Sequence, residues 1–149
     1  MKSVFDTATQ QELTSRIASL SPASRALWGT MQVGQMVEHC MRCDDMFLGN
    51  ITVKRAFIGR LIGRLVLKQV LKNDQPFAKN SPTSPVLKTT AAHPANLEAQ
   101  KLAWINRIAQ YSHYNNPGFV HPFFGPVNST QAGLLAYKHI DHHLRQFGA

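Results

Sequence analysis

The stretch that decides the fold of this chain is residues 128–146, with the sequence NSTQAGLLAYKHIDHHLRQ. Asn128 is followed three residues later by Gln131, a spacing that is typical of a helix N-terminus. The sequence therefore predicts a final helix that is capped by Asn128 and runs through Gln146. Three of the seven histidines of the chain lie in one five-residue stretch of this helix, residues 139–143.

Two of these histidines have the spacing of a helical metal-binding pair. His139 and His143 are four residues apart, so their imidazoles lie on the same face of a helix and can meet one divalent cation. His142 points about 100° away from His143, and Asp141 is expected to face away as well. The pair predicts a metal site that needs a third ligand from another part of the chain.

The third ligand is predicted to be His39. It lies at the edge of the apolar stripe of a second predicted helix, and metal sites in helix bundles are built from side chains of facing helices. Three neutral histidines with one open position are typical of a catalytic divalent site. The alternative is that these histidines are surface residues, or core residues that pair with backbone carbonyls.

The only two cysteines, Cys40 and Cys43, stand three residues apart on the same predicted helix. Two cysteines are too few for a disulfide scaffold and indicate a reducing cytosol, hence a cytoplasmic protein. A closed zinc site usually needs a second such pair, and thioredoxin-type redox chemistry expects a preceding strand. We therefore interpret both cysteines as buried packing residues.

Length and composition indicate one folded domain, residues 1–149. Hydrophobic residues make up 44% of the chain and charged residues 16%, which is typical of a globular protein. The formal charge of +8 raises general affinity for polyanions, but no motif predicts specific nucleic-acid binding. No run of about 20 uncharged apolar residues occurs, so no transmembrane segment is expected.

The remaining pattern is helical and predicts an all-α bundle. A capping box at Thr9–Glu12 predicts a first helix that ends near Leu20, and Thr30 is the predicted cap of a second helix over residues 31–48. A fourth helix is predicted over 95–113, with apolar anchors at Leu97, Leu102, Trp104, Ile105 and Ile108. No strand is predicted. The connection over 73–94 carries four prolines and is long enough to cross one end of an up-and-down bundle.

Residues 54–72 form a basic third helical pattern. Arg60, Arg64, Lys68 and Lys72 recur every four residues on an otherwise apolar body. This pattern favours a helix that is buried on most sides, and the alternatives are a membrane-surface helix or a partner-facing helix. Gly59 and Gly63 are predicted to let another backbone approach closely.

The segment 121–125, HPFFG, leads directly into the final helix. His121 is a candidate pocket residue, although burial of Phe123 and Phe124 explains the segment equally well. His93 and His113 lie in polar surroundings and are predicted to be exposed. We take His121 and His142 as candidates for proton transfer at the predicted metal site.

Four motifs together resemble a known superfamily. They are Trp28-Gly29-x-Met31, Gln35-Met36-x-x-His39-Cys40, His121-Pro122-x-Phe124-Gly125 and Lys138-His139-x-Asp141-His142-His143-x-x-Gln146-Phe147-Gly148. These motifs resemble the DinB/YfiT-like superfamily, and most closely an uncharacterised branch that is a domain-of-unknown-function family. The resemblance covers nearly the whole chain.

The resemblance implies a four-helix bundle with up-down-down-up topology, here with an extra basic helix and a long crossover connection. It implies a divalent metal, zinc or nickel first and iron next, bound by the residues that match His39, His139 and His143. Members of the superfamily include dimeric, thiol-dependent S-transferases and maleylpyruvate isomerase-type enzymes. One departure is that relatives often carry a tryptophan early in the last helix, where this chain has Gln131-Ala132-Gly133.

Three functional hypotheses follow. The first is a metal-dependent transferase or related hydrolase that acts on a thiol or another small molecule, as a monomer or a homodimer. The second is a non-enzymatic, stress-associated metal-binding module that oligomerises. In the third, the basic helix 54–72 docks on membranes or nucleic acid.

Overall fold

Five α-helices and one short β-ladder make up the fold in the computed structural model, which describes residues 1–80, 85–87, 89 and 96–149. Two 3₁₀ turns, Pro85–Leu87 and Tyr111–His113, accompany them. The described chain is therefore mostly helical, which confirms the all-α prediction. The helices are α1 (Thr7–Ser19), α2 (Val33–Leu48), α3 (Phe57–Val70), α4 (Leu97–Gln110) and α5 (Ser129–Gln146).

The last helix begins and ends where the sequence predicts. The Asn128 side chain accepts a hydrogen bond from the Gln131 backbone amide at 2.8 Å. The Gln131 side chain accepts one from the Asn128 amide at 3.1 Å. This reciprocal pair satisfies amides that the first helical turn leaves unpaired.

The first helix begins earlier than its predicted capping box. Asp6, not Thr9, is the N-cap residue, and Thr9 is buried inside the helix. The reason is tertiary, because the N-terminal segment docks on α5. The Val4 amide donates to the Gly133 carbonyl at 3.2 Å, and the Gln10 side chain donates to the Val4 carbonyl at 2.8 Å.

The second helix begins later than predicted. Its cap is formed reciprocally by Gln32 and Gln35, so the prediction of a Thr30 cap is wrong. At the other end the predicted stop is confirmed. Gly49 has a left-handed φ of +86°, a conformation that glycine adopts without steric cost.

The core is formed where α2 packs against α4 and α5, while α1 packs against the same two helices. The predicted apolar stripe of α2 is buried, as are Trp104 and Ile108 of α4. Leu102 is 61% exposed, so its predicted role as a core anchor is wrong. The stripe of α2 comprises Val33, Met36, Val37, Cys40 and Phe47.

Buried polar contacts link α2 to the end of α4. The Asp44 carboxylate accepts from Trp104 Nε1 and from the Tyr111 hydroxyl, both at 2.8 Å. Burial raises the pKa of Asp44 to about 7, and these two donors oppose that shift. Next to it, Arg107 binds the two carboxylate oxygens of Asp45 at 2.9 and 3.1 Å. These contacts fix the helix that carries His39.

An ion-pair network links α5 to α1. Asp141 accepts from Arg16 at 2.8 Å and from Arg145 at 2.7 Å. Arg16 also donates to the carbonyl of Ala149 at 3.0 Å. Asp141 therefore faces α1 and not the face of α5 that carries His139 and His143, which confirms its predicted orientation.

The third helix is shorter than predicted and packs differently. Its outward side chains are exposed, so the expectation of a helix buried on most sides is wrong. Its inward face carries Gly59 and Gly63, which lie against the backbone of Phe123. A Cβ atom at either glycine would clash with the Phe123 carbonyl oxygen. The predicted close backbone approach is therefore confirmed.

The segment that follows α4 contains a short antiparallel ladder of β1 (Val120–His121) and β2 (Gly125–Pro126). The prediction of no strands is wrong here. The turn forms because His121 Nδ1 accepts from the amides of Phe123 and Phe124 at 3.1 and 3.2 Å. Gly125, with φ of +82°, completes the reversal.

The predicted long connection over 73–94 is described only in part. Lys138 of α5 donates to the carbonyls of Asn73 and Gln75, both at 2.7 Å, and Leu87 is buried. His93 lies outside the described residues, whereas His113 is exposed as predicted. Among the described residues, no helix is both long and apolar enough to cross a membrane.

Candidate metal centre

Three histidine rings from two helices meet in the core between α2 and α5. The ring centroids of His39 and His139 are 5.1 Å apart, those of His39 and His143 are 4.8 Å apart, and those of His139 and His143 are 4.7 Å apart. The structure thus brings together the three residues that the sequence singled out as ligands. The helical spacing places two of them, and packing of α2 on α5 adds the third.

His39 is held in one tautomer by the connection that precedes α4. Its Nδ1 atom lies 2.8 Å from the Leu87 carbonyl oxygen, which can only accept a hydrogen bond. The proton is therefore on Nδ1, and the lone pair is on Nε2. Burial lowers the pKa of His39, so the ring is neutral at neutral pH.

His143 is oriented in the same way by Gln146. The Gln146 side-chain amide donates to the Trp28 carbonyl at 2.8 Å, which turns its oxygen toward His143. His143 Nδ1 donates to that oxygen at 2.9 Å, leaving the lone pair on Nε2. Burial, followed by electrostatic coupling with the ring of His39, lowers the pKa of His143 to about 3. Outer hydrogen bonds of this kind orient the histidine ligands of metal sites.

His139 has the unsatisfied polar atom of the cluster. Its Nε2 atom lies 3.1 Å from Nε2 of His39, and its buried Nδ1 atom has no hydrogen-bond partner among the described residues. Burial lowers the pKa of His139 well below its ordinary value, and electrostatic coupling with the rings of His143 and His39 lowers it further. A neutral ring with a second nitrogen facing it is suited to share a cation.

The distance between one pair of ring nitrogens in the cluster fits a small divalent cation. Two nitrogen ligands of one tetrahedral zinc ion, each about 2.0–2.1 Å from the metal, lie roughly 3.3 Å apart. The two Nε2 atoms of His39 and His139 are 3.1 Å apart. Neutral imidazoles also meet the protonation requirement of a metal ligand, since no proton has to be removed.

Both cysteines lie against this cluster. They are buried, as predicted, but Cys43 Sγ is only 3.8 Å from Nε2 of His39. Within the described chain, ligand atoms of His39, Cys43 and His139 lie within 4.8 Å of one another, as do those of Cys40, His139 and His143. Burial raises the pKa of each thiol well above its ordinary value, so both are protonated without a metal.

His142 borders the cluster but makes different contacts. Its ring packs edge-on against Trp28 with centroids 5.5 Å apart and against His143 at 5.1 Å. Burial lowers its pKa, and a hydrogen bond with the backbone of Phe77 opposes that shift. His142 thus lines one side of the cluster, next to a ligand candidate.

His121 lies in the β-ladder and is packed among the rings of Phe47, Phe119 and Phe124. Its Nδ1 atom accepts two backbone amides, which leaves Nε2 as the protonated nitrogen. Burial lowers its pKa to about 4. Its electrostatic effect on His139 is the smallest of the contributions that lower the pKa of His139.

Gln146, Leu87 and Cys43 are the neighbours that the sequence analysis did not assign to the site. The sequence could have identified Gln146, because it follows His143 by three residues and therefore lies on the same helical face. It could also have identified Cys43, which follows His39 by four residues. It could not have identified the Leu87 carbonyl, since the position of that group depends on the path of a long connection.

The fold and the cluster define a helical protein with a buried group of histidines and cysteines between two helices. The chain belongs to the family described as "Protein of unknown function (DUF1569)", whose model matches residues 4–149. This match confirms the prediction of a domain-of-unknown-function family over nearly the whole chain. No curated protein and no solved structure matches the chain.

Proposed function

We propose that this protein binds one divalent metal ion through His39, His139 and His143 and uses it in transferase or hydrolase chemistry on a thiol or another small molecule. The observation that carries the proposal is the pair of Nε2 atoms 3.1 Å apart, with a third ring beside them. Zinc or nickel suits such a donor set, and iron is the next choice.

The residues around the proposed ligands have separate tasks. Gln146 and the Leu87 carbonyl hold two ligand rings with their Nε2 lone pairs free. His142 borders the site on the side of Trp28, and its proposed task is to exchange a proton with a substrate. When bound, a divalent cation acidifies a thiol or water and polarises a small electrophile.

His121 is the second proposed proton-transfer residue. Only its Nε2 atom is available, because Nδ1 accepts the two amides of its own turn. With its pKa at about 4, the ring is neutral at neutral pH.

A second candidate function is a non-enzymatic metal-binding module. The observation that favours it is the position of Cys43, whose sulfur lies 3.8 Å from Nε2 of His39 in a buried setting. A thiolate in the fourth position would close the coordination shell, and closed shells are typical of structural metal sites. Bound metal would then stabilise the fold without any turnover.

We further propose the finer architecture that the resemblance implies, a DinB/YfiT-like bundle with up-down-down-up topology in one domain. The packing of α1 and α2 on the same pair of helices, α4 and α5, supports it. The long connection before α4 supports it too, because a crossover needs such a length. A homodimer and a cytoplasmic location are part of the same proposal.

Titration of metal-free protein with cobalt(II) tests both functions. Cobalt absorption reports a tetrahedral site, and a thiolate-to-cobalt charge-transfer band reports a sulfur ligand. For the open site, we expect wild-type protein to bind one cobalt without that band, and Cys43→Ser to give the same spectrum.

Two outcomes redirect or overturn the proposal. A charge-transfer band that Cys43→Ser removes would establish the closed site and favour the second function. Absence of any cobalt binding by wild-type protein would contradict both functions. His113→Ala serves as the matched control, because His113 is an exposed histidine outside the cluster.

A further inference from the structure

The third helix presents its large apolar side chains to solvent. Its inward face carries Gly59, Gly63 and Leu67, whereas soluble helices normally turn their large apolar residues to the core. Monomeric proteins rarely expose a contiguous apolar patch of this kind, and such patches mark interaction sites. The outward residues are Phe57 (77% exposed), Leu65 (72%), Leu61 (64%), Ile58 (52%) and Ile62 (40%).

These side chains form one strip along α3, not a scatter of single residues. Phe57, Leu61 and Leu65 follow one another at intervals of four and thus lie on one line. Ile58 and Ile62 lie next to that line, so all five fall within an arc of about 140°. The line from the first to the last of its members is about 12 Å long.

Positive charge flanks the strip. Residues 46–73 contain six lysines and arginines and no aspartate or glutamate. Arg60, Arg64 and Lys68 are exposed beside the strip, and no carboxylate in the described part of the chain lies within ion-pair distance of them. Arg64 donates to the Pro126 carbonyl at 2.6 Å, which holds it at the edge of the helix.

We propose that the outward face of α3 docks on an anionic membrane surface. Phe57, Leu61 and Leu65 enter the boundary between headgroups and acyl chains, while the flanking cations contact lipid phosphates and carboxylates. The helix has 14 residues and is thus about 21 Å long, shorter than the roughly 30 Å hydrocarbon core. It therefore lies in the plane of the membrane surface and does not span the bilayer.

The combination of apolar strip and cations selects this occupant over two others. A second copy of the chain would bring the six cations of residues 54–72 against six identical ones, which is repulsive. A nucleic acid would satisfy the cations but leave the leucines in water. An anionic bilayer accommodates both kinds of side chain. This proposal is independent of the metal site.

Co-sedimentation with lipid vesicles tests the proposal. We expect the full chain to bind vesicles of phosphatidylcholine with phosphatidylserine, to bind vesicles of phosphatidylcholine alone weakly, and to dissociate in high salt. Removing two cations in Arg60→Gln/Lys68→Gln should weaken binding about thirtyfold, at about fivefold for each charge. Leu61→Ser/Leu65→Ser should weaken it about tenfold or more, because the apolar area is lost.

Matched controls separate the surface of α3 from general charge and general apolarity. Leu102→Ser alters an exposed leucine of α4, and Arg25→Gln/Lys79→Gln removes two exposed cations elsewhere. Both should bind within about twofold of wild type, since electrostatic attraction to the bilayer falls off within a Debye length. All substituted positions are exposed, and circular dichroism verifies that each variant folds.

Several results would overturn the proposal. Failure of wild-type protein to bind anionic vesicles is one, and equal loss of binding in the control variants is another. A concentration-dependent dimer that Leu61→Ser/Leu65→Ser dissociates would assign the face to a second copy. Salt-sensitive binding to duplex DNA that the leucine variant retains, without vesicle binding, would assign it to nucleic acid.

Discussion

At the scale of single residues, the proposed metal binding depends on which ring nitrogen of each histidine carries the proton. The Leu87 carbonyl accepts from Nδ1 of His39 and the Gln146 side chain accepts from Nδ1 of His143, which leaves the lone pair of each ring on Nε2. Burial lowers the pKa of each ring, so the lone pairs persist at neutral pH. At the metal site that we propose, these rings would bind a cation with no net loss of protons.

His121 allows a pH-dependent prediction at the same scale. Its pKa is about 4 in the folded chain and 6.5 ordinarily, so the folded state binds fewer protons than the unfolded state. Stability is therefore lost as the pH falls from 6.5 toward 4. Relative to His121→Gln, wild-type protein should lose about 2 kcal/mol of unfolding free energy between pH 7 and pH 5.

Urea denaturation of the metal-free proteins at both pH values measures this difference. The comparison with His121→Gln matters because Asp44 acts in the opposite direction. The pKa of Asp44 is raised to about 7, so the contribution of Asp44 to the free energy of unfolding falls as the pH rises. An unfolding free-energy difference between the two proteins that is the same at pH 5 and pH 7 would contradict a neutral, buried His121.

The residue pattern predicted the members of the cluster but not their surroundings. The spacing of His139 and His143 follows directly from the helical repeat, and His39 follows from the apolar edge of its helix. Cys43 was interpreted as a packing residue because no second cysteine pair exists. Its contact with His39 follows from their four-residue spacing on α2, whereas its position near His139 depends on the packing of α2 against α5, which a single sequence does not specify.

At the scale of elements, α3 is held by a backbone contact and not by interlocking side chains. Gly63 of α3 lies against the Phe123 carbonyl, and a Cβ atom there would clash with backbone that cannot rotate away. Gly63→Ala should therefore destabilise the protein by about 1–3 kcal/mol. Thermal or urea unfolding measures the loss.

Gly118→Ala is the matched control for that substitution. No atom lies within 4 Å of a Cβ built at Gly118, so the same change should have little effect on stability. Equal stability of Gly63→Ala and wild type would show that α3 packs less closely on the backbone of Phe123 and Phe124 than the structure has it. The contact would then not fix the orientation of the strip.

Element boundaries were predicted well where local chemistry decides them. Asn128 with Gln131 and the stop at Gly49 involve residues adjacent in sequence, and both hold. The predicted cap at Thr9 failed because Val4 pairs with Gly133 in another part of the chain. The exposure of the large apolar residues of α3 could not be predicted either, because it depends on which face packs against another part of the chain. Two glycines and one leucine occupy the inward face instead of a large apolar stripe.

At the scale of the whole molecule, the all-α class follows from helical periodicity and from polar or proline-rich connections. The ladder of β1 and β2 does not follow from sequence periodicity, because it arises from the hydrogen bonds of His121 within its own turn. Early in α5, a Cβ atom at Gly133 would meet Ser3 and Phe5, so the docked N-terminal segment fills the space beside this residue.

The central claim is that the cluster between α2 and α5 binds a divalent metal. Elemental analysis of protein purified without a histidine tag tests it most directly, with His143→Ala and the control His113→Ala beside wild type. We expect nearly one zinc, nickel or iron per chain in wild type and His113→Ala, and its loss in His143→Ala. Absence of metal from wild type, with none taken up on titration, would contradict the claim, as would equal metal content in His143→Ala.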